Sequence, residues 1–327
     1  MTKKLIASLA VLLLAGTAGL RADVKFGGYM SFEFDKGQAD SGYSRGSLTN
    51  IMGGLTANGT VASKFGFSLE VRAVSETEFE IEQAWVGFIP SQVFNIKAGM
   101  YIVPFGNWNE SSRPYQTLLV GTPLNLQYLY PPTWRDLGVV VNGNIGILSY
   151  AAYIGNGLKE ADNLADGQQF SDNNKNFAKG GRVALKVGQE IRVGASYYTG
   201  KYDDLDQRNL TLEGVDISWV TQQWEVWGEV TRALIDNPEP YAQGKCEGYS
   251  IWTVMSFSKI QPIGSFQRVK YVDPYHGGGI SLDLSRWTAG LRWVIGQGMF
   301  LKGEYEWNNE TPKIPNNIMR IQAALSF

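Results

Sequence analysis

A two-residue period recurs along most of this chain, interrupted by connections that alternate between tight and long. That period places apolar side chains on one face of a strand and polar ones on the other. Along residues 65–73, Phe65, Phe67, Leu69, Val71 and Ala73 share a face, and Ser68, Glu70 and Arg72 share the opposite one. Val183, Leu185 and Val187 oppose Arg182, Ala184 and Lys186 in the same way. Trp287, Ala289, Leu291 and Trp293 oppose Arg286, Thr288, Gly290 and Arg292. Residues 80–89 are ambiguous, because Glu82 has the parity of Ala84, Val86 and Phe88. About sixteen such segments are expected, from 24–35 to 318–327, an even number.

The connections constrain the fold further. Tight turns are expected at 60–64, 90–93, 143–146, 188–190, 221–222, 259–263 and 295–298. Between them lie longer loops at 36–46, 104–136, 155–180, 200–208, 234–247, 273–283 and 310–317. Only 75–79 breaks the alternation. Short turns at one end and long loops at the other predict an all-β transmembrane antiparallel barrel with a polar interior. Arg or Lys at the bilayer midplane costs about 2–4 kcal/mol, so charges should be confined to the inward parity.

Both chain ends agree with export to an outer membrane. Lys3 and Lys4 precede an apolar run over 5–15, too short to span a bilayer as a helix. A cleaved signal peptide over 1–22 and a single barrel domain over 23–327 are expected. The last strand alternates through Met319, Ile321, Ala323 and Leu325 to a terminal Phe327, which resembles the closing signature of bacterial outer-membrane barrels.

Charge and composition exclude several functions. The net charge of −2 becomes −5 without the leader, since loss of Lys3, Lys4 and Arg21 lowers Lys plus Arg from 29 to 26 against 31 acids. An acidic chain of this kind argues against a nucleic-acid partner. Cys246 is the sole cysteine and is expected in an external loop. His276 is the sole histidine and is expected to be solvated. A catalytic triad or a Cys/His metal centre therefore has little to draw on. No cofactor, metal or catalytic residue is expected.

The connection over 104–136 is too long for an ordinary hairpin loop and is rich in proline and aromatics. Folded inward, it would narrow an otherwise open lumen. Residues 94–106, FNIKAGMYIVPFG, lead into this loop, and RDLGVVVNG over 135–143 leads out. With QAWVGF over 83–88 and AAYIGNG over 151–157, they resemble the phosphate-selective porin O/P-like family. That resemblance implies a sixteen-stranded, homotrimeric diffusion channel with the third loop in the lumen. The family's phosphate-selective members carry a dense basic ladder on that loop. Here the loop offers Arg113 and Arg135, offset by Glu110 and Asp136, so the architecture is carried over without phosphate selectivity.

Arg113, Arg135, Glu110 and Tyr115 are thus the expected constriction. The expected pore lining is Arg72, Lys97, Arg182, Lys186, Arg192, Arg268, Lys270, Arg286, Arg292, Lys302 and Arg320. Lys25 shares that parity, and the inward acids are Glu33, Glu70, Asp216, Glu225, Glu229, Glu304 and Glu306. This set is net basic and predicts weak anion preference, unless the charges pair across strands. The expected partners are outer-membrane lipid and small hydrophilic solutes or anions. A receptor or adhesin using the Asn/Asp-rich loop at 155–180, or a barrel-embedded hydrolase with a plugged lumen, is the alternative.

Overall fold

The computed structural model describes residues 22–61, 63–74 and 78–327. All of the expected leader except Ala22 lies outside them. The described residues form sixteen antiparallel strands, β1 to β16, in one closed barrel. Each strand pairs with its chain neighbours, and β1 (Ala22–Gly37) closes on β16 (Ile318–Ser326) with Tyr29 opposite Ser326. Closure leaves no free sheet edge.

Exposure alternates along the strands. In β3 (Phe65–Ala73) the even residues are buried and in β10 (Asn209–Val220) Leu210, Leu212, Gly214, Asp216 and Ser218 are buried. Most outward positions are apolar and bare, with Phe26 75% and Leu55 67% exposed. The interior is therefore the sheltered face.

A bulge settles the ambiguity in β4 (Phe79–Phe88). The β3–β4 register shifts between Glu70 and Val71, which stand opposite Gln83 and Ile81. Glu82 is the extra residue, and it turns inward to 1% exposure. Gln83, Trp85 and Gly87 then take the inward register, opposite Glu70, Ser68 and Gly66.

Strands on one side are longer than sequence periodicity suggests. β13 spans Ile260–Asp273 and β14 spans Ile280–Gly296. The remaining strands that frame the lumen are β2 (Ser47–Val61), β5 (Asn95–Ile102), β6 (Arg135–Ile145), β7 (Leu148–Gly155), β8 (Ala178–Val187) and β9 (Ile191–Lys201). β11 (Trp224–Ile235), β12 (Gly244–Met255) and β15 (Met299–Asn309) complete the wall.

Candidate functional site

The segment between β5 and β6 folds into the barrel and packs against its inner wall. Val103 and Phe105 begin the descent with no exposed surface. Gly106 follows with φ +65°, and a Cβ there would stand 2.6 Å from the Glu229 carboxylate. Only glycine meets both demands. The chain then donates Gly106 N–H to Ser196 Oγ at 3.2 Å and Asn107 N–H to Glu229 Oε2 at 3.0 Å.

Asn109 ties the two ends of this loop together. Its Nδ2 donates to the carbonyls of Val103 and Trp134 at 2.8 and 2.9 Å, and its Oδ1 accepts Trp134 N–H at 2.7 Å. A short helix, α1 (Leu124–Tyr128), follows Pro123. Leu124 N–H donates to Gln267 Oε1 at 3.0 Å, and Asn125 Nδ2 donates to Glu229 Oε1 at 3.0 Å. The Tyr130 hydroxyl also donates to Glu229. Burial and the adjacent Glu229 charge hold this phenol well above its usual range.

The far end of the loop rests on β15. Val120 and Gly121 donate their N–H groups to Glu304 at 2.9 and 2.6 Å. Lys302 Nζ donates to Pro114 O at 2.6 Å and Thr117 Oγ1 at 3.0 Å. Toward β3, Arg113 donates to both oxygens of Glu70, at 3.0 and 2.6 Å. Tyr115 stacks at 5.6 Å from Tyr29, whose hydroxyl donates to the same Glu70 at 3.1 Å.

These contacts divide the lumen into two unlike halves. Against β9–β13 the loop buries Phe105, Leu126, Leu129, Tyr130 and Trp134 on inward residues of the wall that include Tyr198, Leu212, Val269 and Tyr271. Trp134 lies 4.9 Å from Tyr198 and 5.6 Å from Phe105. Leu158 and Leu164, from the connection after β7, join this core. Burying side chains of this size is worth roughly 1.5–3 kcal/mol each, so this half of the barrel is a packed interior.

The opposite half is wet. Two clefts of about 190 and 140 Å³ adjoin through Pro104, Glu110, Asn142 and Ala151. Lys97 and Arg113 line the first, Arg182 and Arg192 the second. Lys97 Nζ sits 4.5 Å above the Trp85 ring. A third cavity, about 540 Å³, opens at the short-turn end between Tyr29, Tyr115 and Phe327. Glu110 and Arg113 thus reach the clefts, and Tyr115 faces the third cavity.

Arg135 does not stand at this passage. It is 4% exposed, in ion pairs with Glu80 at 3.2 Å and Glu82 at 3.6 Å, and lies over the Phe170 ring. Arg268 and Lys270 correct the expected lining more sharply, because both point out of the barrel. In β13 the buried residues include Gln267, Val269 and Tyr271, and the residues between them are exposed. Val269 and Tyr271 on the inward face there join the core beneath the loop, and Arg268 and Lys270 take the outward face between them. Cys246 is also corrected: it lies inward on β12 and fully buried. His276 is likewise not solvated. It is 7% exposed, with Nδ1 2.7 Å from Asp273 and its ring between Tyr202 and Tyr275.

The other lining residues face inward, but many are neutralised. Arg72 meets Glu80 at 2.8 Å and Glu82 at 3.4 Å, and Arg182 is paired with Asp216. Arg286 meets Glu306 at 3.4 Å, and Arg320 bridges Asp35 and Glu306 at 2.8 and 3.0 Å. Lys97, Lys186, Arg192 and Arg292 make no ion pair among the described residues. The wall also carries the acids Asp35, Glu80 and Glu82, absent from the expected inward set, of which only Glu82 had a trace in the sequence, and Asp136, expected as a loop acid, lies buried in β6. The wall as a whole is therefore not net basic.

The Asn/Asp-rich connection at 155–180 spends its polar groups internally. Asn163 accepts Ala165 N–H at 3.0 Å, and Asn174 Nδ2 donates to Lys201 O at 3.0 Å. No group of three or more His, Cys, Asp or Glu side chains among the described residues could hold a metal ion.

No family model matches the chain. An uncharacterized protein of Aquifex aeolicus (strain VF5) is 29% identical over 164 residues, covering 46% of this chain and 37% of that protein's length. The barrel is similar to in-vitro folded OmpT, an outer membrane protein of Vibrio cholerae solved in a trimer form, with TM-score 0.67 and 13% identity over 94% of this chain and 99% of that one. It is also similar to the outer membrane channel DcaP of Acinetobacter baumannii, with TM-score 0.66 and 15% identity over 94% and 97%. The anion-selective porin from Comamonas acidovorans gives 0.67 and 11% over 94% and 100%. At these identities the likeness is one of fold.

Proposed function

We propose that this protein is an outer-membrane porin, a water-filled channel through which small hydrophilic solutes and ions diffuse. The observation that carries this reading is the pair of polar clefts beside the inward-folded loop, inside a closed barrel with an apolar exterior. A passive path needs no bond-making group. Width and charge along the clefts set what passes.

Lys97 and Arg192 are the cleft cations without an ion-pair partner among the described residues, and Glu110 is the exposed acid. That local excess supports a weak anion preference, although the wall as a whole is balanced. Arg113, Glu110 and Tyr115 are the proposed constriction residues. The motifs over 83–157 support an affinity with the O/P-like porins. The outward faces of β2–β5, free of charge and grooved between Phe65, Phe67, Val86 and Phe88, support a homotrimer packed on that side. Export by a leader over 1–22 belongs to the same proposal.

The test is conductance of the refolded protein, residues 23–327, in planar bilayers under a salt gradient. Discrete ohmic steps with a reversal potential displaced toward anions are expected. A folded barrel that never conducts would overturn the channel reading and return the weight to a receptor with a plugged lumen.

A further inference from the structure

The outer wall carries a charged patch that solute diffusion does not use. On β10–β14 five outward residues form one row across five strands: Glu213 faces Arg232, Arg232 faces Glu247, Glu247 faces Lys270, and Lys270 faces Asp283. Directly opposed residues stand about 4.5–5.5 Å apart, so the row is continuous. Lys245 lies on the same face as Glu247, one pair nearer the long-loop end, and Arg268 lies one pair nearer the bilayer centre.

The acids in this patch are partly spent. Arg268 donates to both oxygens of Asp283, at 2.8 and 2.7 Å, and Arg232 lies 3.8 Å from Glu247. Lys245 and Lys270 make no ion pair among the described residues, so the patch is left with excess positive charge. The outward positions of β2–β5, β7, β15 and β16 carry no charge at all. Just toward the bilayer centre on the patch side, Val230, Ile251 and Trp287 are half exposed, and Phe266 stacks 4.4 Å from Trp287. A soluble anion would use the cations and leave this apolar shelf bare. A lipid uses both.

We infer that this patch holds a lipid of the surrounding leaflet by its phosphate, with Lys245 and Lys270 as donors, Arg232 and Arg268 flanking them, and the acyl chains laid along Val230, Ile251 and Phe266. The inference rests on the membrane-spanning reading. Charges are costly within hydrocarbon, so a row of them belongs in the headgroup layer, where phosphates are the anions at hand. Arg and Lys are the natural phosphate donors, Arg by its planar fork and Lys as a point charge.

Native mass spectrometry of the refolded barrel in detergent, incubated with dilauroylphosphatidylglycerol or with dilauroylglycerol, tests it. Wild type should retain the phosphatidylglycerol, and the Lys245→Gln/Lys270→Gln double variant should retain about tenfold less, with single-channel conductance unchanged. Glu247→Gln, which removes the competing carboxylate, should retain more than wild type and covers the case in which the double variant fails to fold. Equal retention by wild type and double variant, equal retention of dilauroylglycerol, or displacement by millimolar inorganic phosphate would overturn the inference. A conducting barrel whose double variant keeps the lipid refutes the site alone. A barrel that holds the lipid but never conducts refutes the channel reading and leaves the site standing.

Discussion

The two halves of the barrel interior are built on different principles. Toward β9–β13 the wall presents Tyr198, Leu212, Val269 and Tyr271, and the loop answers with Phe105, Leu126, Tyr130 and Trp134. Toward β4–β8 the wall presents Gln83, Lys97, Asn142, Ser149 and Arg182, and the loop answers with Glu110 and Arg113. One half is held by burial and by carboxylates that accept backbone N–H groups. The other is left to water. A long loop can narrow a pore without filling it only if it has such a seat on one side. The packed half therefore positions the wet half.

The largest expected effect lies in the packed half. Trp134→Ala should cost about 3–5 kcal/mol, the usual range for truncating a buried tryptophan. It should also raise the mean conductance as the loop loses its seat. Thermal unfolding of the detergent-solubilised barrel and bilayer recording check the two parts. A destabilised barrel of unchanged conductance would break the link between the halves.

Glu229→Ala should follow at about 2–3 kcal/mol, because it strands the Tyr130 hydroxyl, the Asn107 N–H and the Asn125 amide in a buried site. Noisier open-channel current should accompany it. Unaltered current noise would show that Glu229 braces the wall and not the loop.

In the wet half the effect should be on charge and not on stability. Lys97→Glu combined with Arg192→Glu should carry the reversal potential toward cations while unfolding shifts by less than about 1 kcal/mol. A reversal potential that does not move would mean that solutes bypass the clefts. Smallest of all, Arg268→Ala on the outer wall should leave both ion preference and unfolding unchanged within error, because its ion pair with Asp283 is exposed. A changed reversal potential would contradict its outward orientation.

The same contrast explains what could be read from the sequence. Strand number and the alternation of short and long connections follow from local periodicity and turn composition, and these agree with the sixteen-stranded barrel. Lys97, Arg182 and Arg192 were legible as inward because their neighbours on the outward parity are plainly apolar. Arg268 and Lys270 were misread because Val269 and Tyr271, which alternate with them, are apolar yet face inward, where the loop covers them. No local pattern records which wall a distant loop covers. Glu82 shows a milder case, where one bulge exchanges the faces of β4. Cys246 and His276 were assigned to solvent by their place near loops, but burial at a strand end depends on how neighbouring connections fold over it.

The central claim is that solutes pass on the β4–β8 side of the loop while the β9–β13 side is sealed. The chain carries its own reporter of the sealed side in Cys246. Labelling Ala151→Cys, at the junction of the two clefts, with a charged methanethiosulfonate during bilayer recording tests the claim directly. The account predicts rapid modification and a stepwise fall in conductance for the variant, with no modification of Cys246 in wild type. Block of the wild-type channel through Cys246, or modification of Ala151→Cys without any change in current, would contradict it.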